Sequence, residues 1–171
     1  MTTDSLPSKE SPAPKEIERK FLVNELPADL ELANYPSKKI NQGYLANTQD
    51  CAVRIRQKGS KYFLTYKEAS KEHAAERVEL ETELTQAQFD TMWPGTAGKR
   101  LEKTRYEIPH AGFTIELDVF EGDNAGHILA EVEFTSTLQA DMFEPPEWFG
   151  LDVTADKQFG NSQIAEFGFP T

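Results

Sequence analysis

In the run "EIERKF", Glu16, Glu18 and Lys20 stand two residues apart, with Ile17 and Phe21 at intervening positions. Successive side chains of a strand point to opposite faces, so this spacing puts all three charges on one face of an extended segment. The same test gives the same answer along the chain. Arg54 and Arg56 lie opposite Val53 and Ile55, and Lys67 shares a face with Thr65 and Phe63. Arg77, Glu79, Glu81 and Glu83 oppose Val78, Leu80 and Leu84, while Lys103, Arg105 and Glu107 oppose Tyr106 and Ile108. Glu116 and Asp118 alternate with Ile115, Leu117 and Val119, and Glu131 and Glu133 with Val132 and Phe134.

The carboxylates Glu16, Glu18, Glu131 and Glu133, with Glu81, Glu83, Glu116 and Asp118 in reserve, are oxygen donors of the kind that suit Mg²⁺ or Mn²⁺. The seven cations Lys20, Arg54, Arg56, Lys67, Arg77, Lys103 and Arg105 suit phosphate oxygens, which Arg grips bidentately and Lys meets as a point charge. At an effective dielectric of about 20, one such contact at 4 Å contributes roughly 4 kcal/mol before desolvation is subtracted. Seven cations exceed the needs of a monophosphate and suit a chain of several phosphates. A polyphosphate bridged to carboxylates by a divalent metal satisfies both sets.

Stepping outward from these residues, eight strand-like runs carry them, at roughly 15–23, 38–46, 52–57, 62–67, 76–84, 100–108, 113–120 and 128–135. "KGSK", "PHAG" and "GDNAG" read as hairpin turns. Helical signals are few: around 25–33, at Thr85 with Gln88 as a capping box, and near 160–167. The expectation is a mainly β (α+β) fold, an eight-stranded antiparallel β-barrel closed on itself, since closure removes exposed edges. An ordinary half-buried sheet would turn its charges to water. Seven cations at strand-interior positions favour the inverse, a charged lumen with an apolar outer wall that the helices partly cover. Such burial costs several kcal/mol per ion unless each charge is paired or a ligand completes the set.

The 171 residues suffice for one domain, expected over 15–171 after a disordered leader at 1–14, "MTTDSLPSKESPAP". The leader has no apolar core or cleavage site, and no later run is long enough to span a bilayer, so a cytoplasmic, soluble protein with no membrane partner is expected. A net charge of −11 and a pI near 4.8 disfavour nucleic acid as a partner. Cys51 alone gives no disulfide framework. His73, His110 and His127 are dispersed, so no zinc site is expected. There is no phosphate-loop, dinucleotide or H-E-x-x-H motif.

"EIERKF" matches the Glu-x-Glu-x-Lys signature of the CYTH, or triphosphate tunnel metalloenzyme, superfamily. "VRIR", "LTYK", "RVELETEL", "LEKTRYEIP", "IELDVFEGDNAG", "LAEVEF" and "DVTADKQFGNSQIA" extend the match in order over everything after the leader. The chain thus resembles the small bacterial-type inorganic triphosphatases of that family. The resemblance implies a tunnel in which Glu16, Glu18, Glu131 and Glu133, with Asp118, hold Mg²⁺ or Mn²⁺. Lys20, Arg54, Arg56, Lys67, Lys103 and Arg105, with Arg77, would hold a triphosphate-containing small molecule. Residues 157–165 resemble a helix that plugs one end.

The implied reaction is metal-dependent hydrolysis of inorganic triphosphate to phosphate and diphosphate. Lys20 would neutralise phosphate, and Glu81 or Glu83 would serve as general base or as ion-pair partner of a lumen arginine. The alternatives are a nucleoside or thiamine triphosphatase, a class IV-type adenylyl cyclase, a non-catalytic polyphosphate- or nucleotide-binding module, and a lipid-binding barrel with its charges outside. An apolar outer wall that few helices cover is also compatible with a homodimer.

Overall fold

A computed structural model describes residues 17–48, 51–69 and 77–170. Eight strands form one sheet: β1 (Ile17–Leu22), β2 (Ser37–Asn47), β3 (Cys51–Lys58), β4 (Lys61–Ala69), β5 (Arg77–Leu84), β6 (Arg100–His110), β7 (Phe113–Glu121) and β8 (Ile128–Phe134). Their order is β1-β8-β7-β6-β2-β3-β4-β5, and every neighbouring pair is antiparallel. The expected hairpins are present. Gly59 joins β3 to β4 with φ 60°, and Ala111 and Gly112 join β6 to β7 with φ 49° and 84°. Gly is the residue that reaches this region without strain.

The expected closure does not occur. The sheet is open, with β1 and β5 as its two edges and no pairing between them. The physical reason lies in the C-terminal chain, which takes the outward hydrogen-bonding groups of β1. Leu22 N donates to Leu151 O at 2.9 Å, Gly150 N to Leu22 O at 2.7 Å and Val153 N to Lys20 O at 2.8 Å. An edge satisfied in this way no longer needs a partner strand.

The apolar face of β1, β8, β7 and β6 forms the main core, with Phe21, Ile108, Ile115, Leu117, Val132 and Phe134 buried beneath Phe143 and Phe149. Phe21 and Phe149 lie 4.8 Å apart, and Phe113 meets Phe143 edge-on at 5.6 Å. The cover is mostly irregular chain. The run near 25–33, read as helical, holds only a 3₁₀ turn at Leu32–Asn34, while Leu26, Leu30 and Leu32 still pack onto the core. A helix not anticipated, α2 (Thr137–Met142), is capped by Ser136. Over the other half of the sheet lies α1 (Gln86–Met92), started by the expected Thr85/Gln88 capping box. Its Phe89 sits 5.0 Å from Tyr62 and 5.0 Å from Trp93.

Along β2, β6, β7 and β8 the charged face turns apolar at one end. There Tyr44, Leu101, Phe120 and Leu129 bury against Phe159, Ile164 and Ala165 of the last segment, which includes α3 (Asn161–Phe167). This helix stops one end of the concave face.

Candidate active site

The sheet curls so that its concave face encloses a cavity of about 440 Å³ to which all eight strands contribute. Its lining includes Glu18 and Lys20 from β1, Arg54, Arg56 and Lys58 from β3, Lys67 from β4, and Glu79 and Glu81 from β5. Lys103 and Arg105 of β6, Glu116 of β7, and Glu131 and Glu133 of β8 complete the charged set. The charges therefore face inward, and the apolar residues of the same strands face outward.

On the wall made by β1, β6, β7 and β8, each cation is locked to a carboxylate. Asp118 is fully buried and accepts from Lys103 Nζ at 2.5 Å and from Arg105 Nε and Nη2 at 2.7 and 2.6 Å. Arg105 also donates to Glu131 at 2.6 Å and to Glu116. Lys20 reaches Glu131 at 2.9 Å and Glu18 at 3.7 Å. Lys103 donates further to Asn161 Oδ1 of α3 at 3.0 Å, tying the plug to the site.

The electrostatics follow from this packing. Burial pulls Lys20 down, yet Glu131 and Glu18 outweigh it and leave the ammonium above its ordinary value. For Lys103, burial wins over the attraction of Asp118, aided by repulsion from Arg105, so its pKa falls below the usual lysine value. Arg105, although buried, is held well above the usual guanidinium value by its hydrogen bonds to Asp118 and by the charges of Asp118, Glu131 and Glu116. Burial opposes ionisation of Glu131, but Lys103, Arg105 and Lys20 together hold its carboxyl far below the usual range.

The wall made by β3, β4 and β5 is looser. Arg54 donates to Thr65 at 3.2 Å, Arg56 to Glu81 at 3.1 Å, and Thr65 Oγ1 to Glu81 at 2.9 Å. Lys67 pairs with Glu79 at 2.9 Å. The Nε atoms of Arg54 and Arg56 are buried without a hydrogen-bond partner among the described residues. Leaving a charged donor unsatisfied is costly, and an oxyanion in the cavity would satisfy such groups. Burial and the adjacent Arg54 charge depress the Arg56 pKa.

Of the residues singled out in the sequence, Glu18, Lys20, Arg54, Arg56, Lys67, Glu81, Lys103, Arg105, Glu116, Glu131 and Glu133 line the cavity. Asp118 sits behind the lining, with both its oxygens occupied. Glu83 points from the same face of β5 near the mouth, where it is 58% exposed and pairs with Lys61 at 3.5 Å. Glu16 and the side chain of Arg77 lie outside the described residues. Lys58, Gln42 and Asn161 also line the cavity and were not anticipated. Parity with Arg54 and Arg56 could have found Lys58, which reads as part of a turn. Gln42 and Asn161 carry no charge that would single them out.

Among the described residues no three carboxylates or other donors converge as a ready-made metal site. The donor chemistry nevertheless fits a hard dication. Glu116 and Glu131 are cross-strand partners that Arg105 already bridges, and Glu18 and Glu133 are likewise direct cross-strand partners. Like charges placed opposite each other repel, and a cation held between them would relieve that repulsion.

A curved antiparallel sheet around an ion-lined cavity, stopped at one end by a C-terminal helix, defines an antiparallel β domain with an internal charged site. The sequence model of the CYTH domain matches residues 14–144, and the chain belongs to the CYTH domain family. An inorganic triphosphatase of Nitrosomonas europaea is 45% identical over 153 residues, covering 88% of this chain and 96% of that protein. An inorganic triphosphatase of Acetivibrio thermocellus is 33% identical over 153 residues, covering 89% and 94%. The crystal structure of the inorganic triphosphatase NE1496 matches with a TM-score of 0.70 and 40% identity, over 91% of this chain and 97% of that one.

Proposed function

We propose that this chain is an inorganic triphosphatase that hydrolyses triphosphate to phosphate and diphosphate inside the concave cavity. The observation that carries the reading is the 45% identity to an inorganic triphosphatase over nearly the whole of both chains. The cavity agrees with it, since its lining is polar or charged apart from Ile40. It offers groups for phosphates rather than an apolar slot for a nucleobase.

Arg54, Arg56 and Lys67 bind phosphoryl oxygens from one wall, and Lys20, Lys103 and Arg105 from the other, with Arg77 as a further candidate. Asp118 orients Lys103 and Arg105 rather than holding a metal, because it is fully buried behind the lining of the cavity. Glu18 and Glu133, with Glu131 and Glu16, would hold Mg²⁺ or Mn²⁺, which supplies charge neutralisation and Lewis-acid polarisation of a phosphoryl oxygen.

The basic groups stabilise the charge that develops on the departing diphosphate. Glu81 is the group placed to accept the proton of the attacking water, and Thr65 and Arg56 fix its carboxylate. The walls orient the chain of phosphates, and α3 closes one end against water.

The test is phosphate release from inorganic triphosphate beside ATP and thiamine triphosphate, with Mg²⁺, with Mn²⁺ and with EDTA. Metal-dependent release from triphosphate well above that from ATP is expected. No release from any substrate, with triphosphate still raising the melting temperature, would replace the enzyme by a binding module.

A further inference from the structure

Across the wall built from β3, β4 and β5, Arg54, Thr65 and Glu81 stand in one row: Thr65 is the direct partner of Arg54 on one side and of Glu81 on the other. The side chains follow the register. Arg54 Nη2 lies 3.2 Å from Thr65 Oγ1, and Thr65 Oγ1 lies 2.9 Å from Glu81 Oε2. A guanidinium can only donate and an ionised carboxylate can only accept, so the hydroxyl must accept from Arg54 and give its one proton to Glu81.

Thr65 is 1% exposed and takes no part in the cavity lining, so it does not touch what the cavity holds. It acts on two residues that do. Across the cavity Arg105 is bound to Glu116, Asp118 and Glu131, whereas Arg54 meets a hydroxyl and has no ion-pair partner among the described residues. With Thr65 between them, Arg54 and Glu81 are kept two strands apart, and the guanidinium retains a charge that no carboxylate neutralises. At Glu81, Arg56 Nη2 donates at 3.1 Å to the same oxygen as Thr65. Both donors occupy Oε2, and Oε1 accepts no hydrogen bond among the described residues.

We propose that Thr65 is a positioning residue of the hydrolysis: its hydroxyl keeps Arg54 free for a phosphate and pins one oxygen of Glu81, so that the other oxygen faces the attacking water. This rests on the triphosphatase reading of the same cavity. As the water oxygen bonds to phosphorus, the bond from that phosphorus to the departing diphosphate oxygen breaks, and the water proton passes to Glu81. Thr65 exchanges no proton with the substrate. Without its hydroxyl the Glu81 carboxylate can turn and Arg54 can lean onto it, so the loss reaches both the chemical step and phosphate binding.

The experiment reads kcat and KM for tripolyphosphate with Mg²⁺ in wild type, Thr65→Val, Thr65→Ser and Thr65→Ala, and in Glu81→Gln with and without Thr65→Val. Hydrogen bonds to charged groups set the scale, so Thr65→Val should lower kcat about tenfold and raise KM about threefold, while Thr65→Ser stays within about threefold of wild type in both. On the Glu81→Gln background Thr65→Val should cost less than about twofold in kcat, because changes acting through one group do not add. Wild-type rates in Thr65→Val, a Thr65→Ser as slow as Thr65→Ala, or the full loss repeated on the Glu81→Gln background would overturn the assignment. If Thr65→Val does not fold, the Ser and Ala variants decide, since they leave the same methyl gap and differ by one hydroxyl. A wild type inert towards tripolyphosphate would sink the triphosphatase reading, and calorimetric titration of tripolyphosphate into the metal-free protein in EDTA then tests the hold on Arg54. Binding about threefold weaker in Thr65→Ala than in Thr65→Ser would support that hold, and equal or absent binding would overturn it.

Discussion

Asp118→Asn removes the buried negative charge that Lys103 and Arg105 share. The carboxylate is fully buried and accepts three hydrogen bonds, one from Lys103 and two from Arg105, at 2.5 to 2.7 Å. An asparagine keeps one acceptor oxygen but turns an NH₂ towards a cation, so at least one charged donor is orphaned. Breaking a buried ion pair from one side costs about 3–5 kcal/mol, most of it the uncompensated charge left behind. A chain of this size loses about 2–4 °C of melting temperature per kcal/mol, so the variant should melt roughly 6–20 °C lower.

Urea unfolding of the wild type, Asp118→Asn and the double variant Asp118→Asn/Lys103→Met gives the assay. The double variant deletes the stranded ammonium and should recover at least half of the loss. A loss under about 1 kcal/mol for the single variant, or no recovery in the double, would refute the view that charge balance at this position holds the wall together.

Glu81→Gln should lower kcat by roughly 10²–10⁴-fold with little change in KM and remove the acidic limb of the kcat profile, as expected for a general base. A change confined to KM would instead make Glu81 a structural partner of Arg56, and Glu83→Gln, outside the cavity lining, is the comparison. Stability in acid should be governed in part by Glu131. Its folded pKa is depressed, so its contribution is complete above the ordinary glutamate value of about 4.3 and is lost as the pH falls below that. Chemical denaturation from about pH 5 down to about pH 2 should show the decline, and Glu131→Gln should flatten its slope.

The strands were legible because their side chains keep a strict two-residue period, with charge on one face and Ile, Leu, Val and Phe on the other. The direction of curl was legible for a related reason, since solvent-facing strands seldom carry so many arginines and lysines at interior positions. Closure was not legible. It turns on whether β1 offers its free edge to β5 or to the chain at 150–153, and a residue pattern describes faces rather than edges.

The run near 25–33 was misread for a similar reason. Leu26 and Leu30 stand four apart, as on one helix face, but Leu32 two residues on breaks that period, and the segment covers the core as irregular chain. The short α2 was signalled by Ser136 with Gln139 three residues on, whose side chain accepts from Thr135 N at 3.0 Å. Parity alone could not rank Glu81 above Glu83. The two share a face, and only their depth along β5 separates a cavity residue from one at the mouth.

The pairing of β1 with β8 brings Glu18 opposite Glu133, residues separated by 115 positions. Translation proceeds at about 5–20 residues per second, so β1 leaves the ribosome on the order of ten seconds before its neighbour has been made. During that interval Phe21 has no core to enter and the carboxylates of β1 have no partners across the sheet. The hairpin β3–β4 is complete much earlier, so the basic face of β3 precedes the pairing of Glu18 with Glu133 in time. The wall built from β1 and β8 thus assembles after that of β3 and β4, and a nascent chain can present the arginines proposed to bind phosphate before it can present the residues proposed to hold the metal.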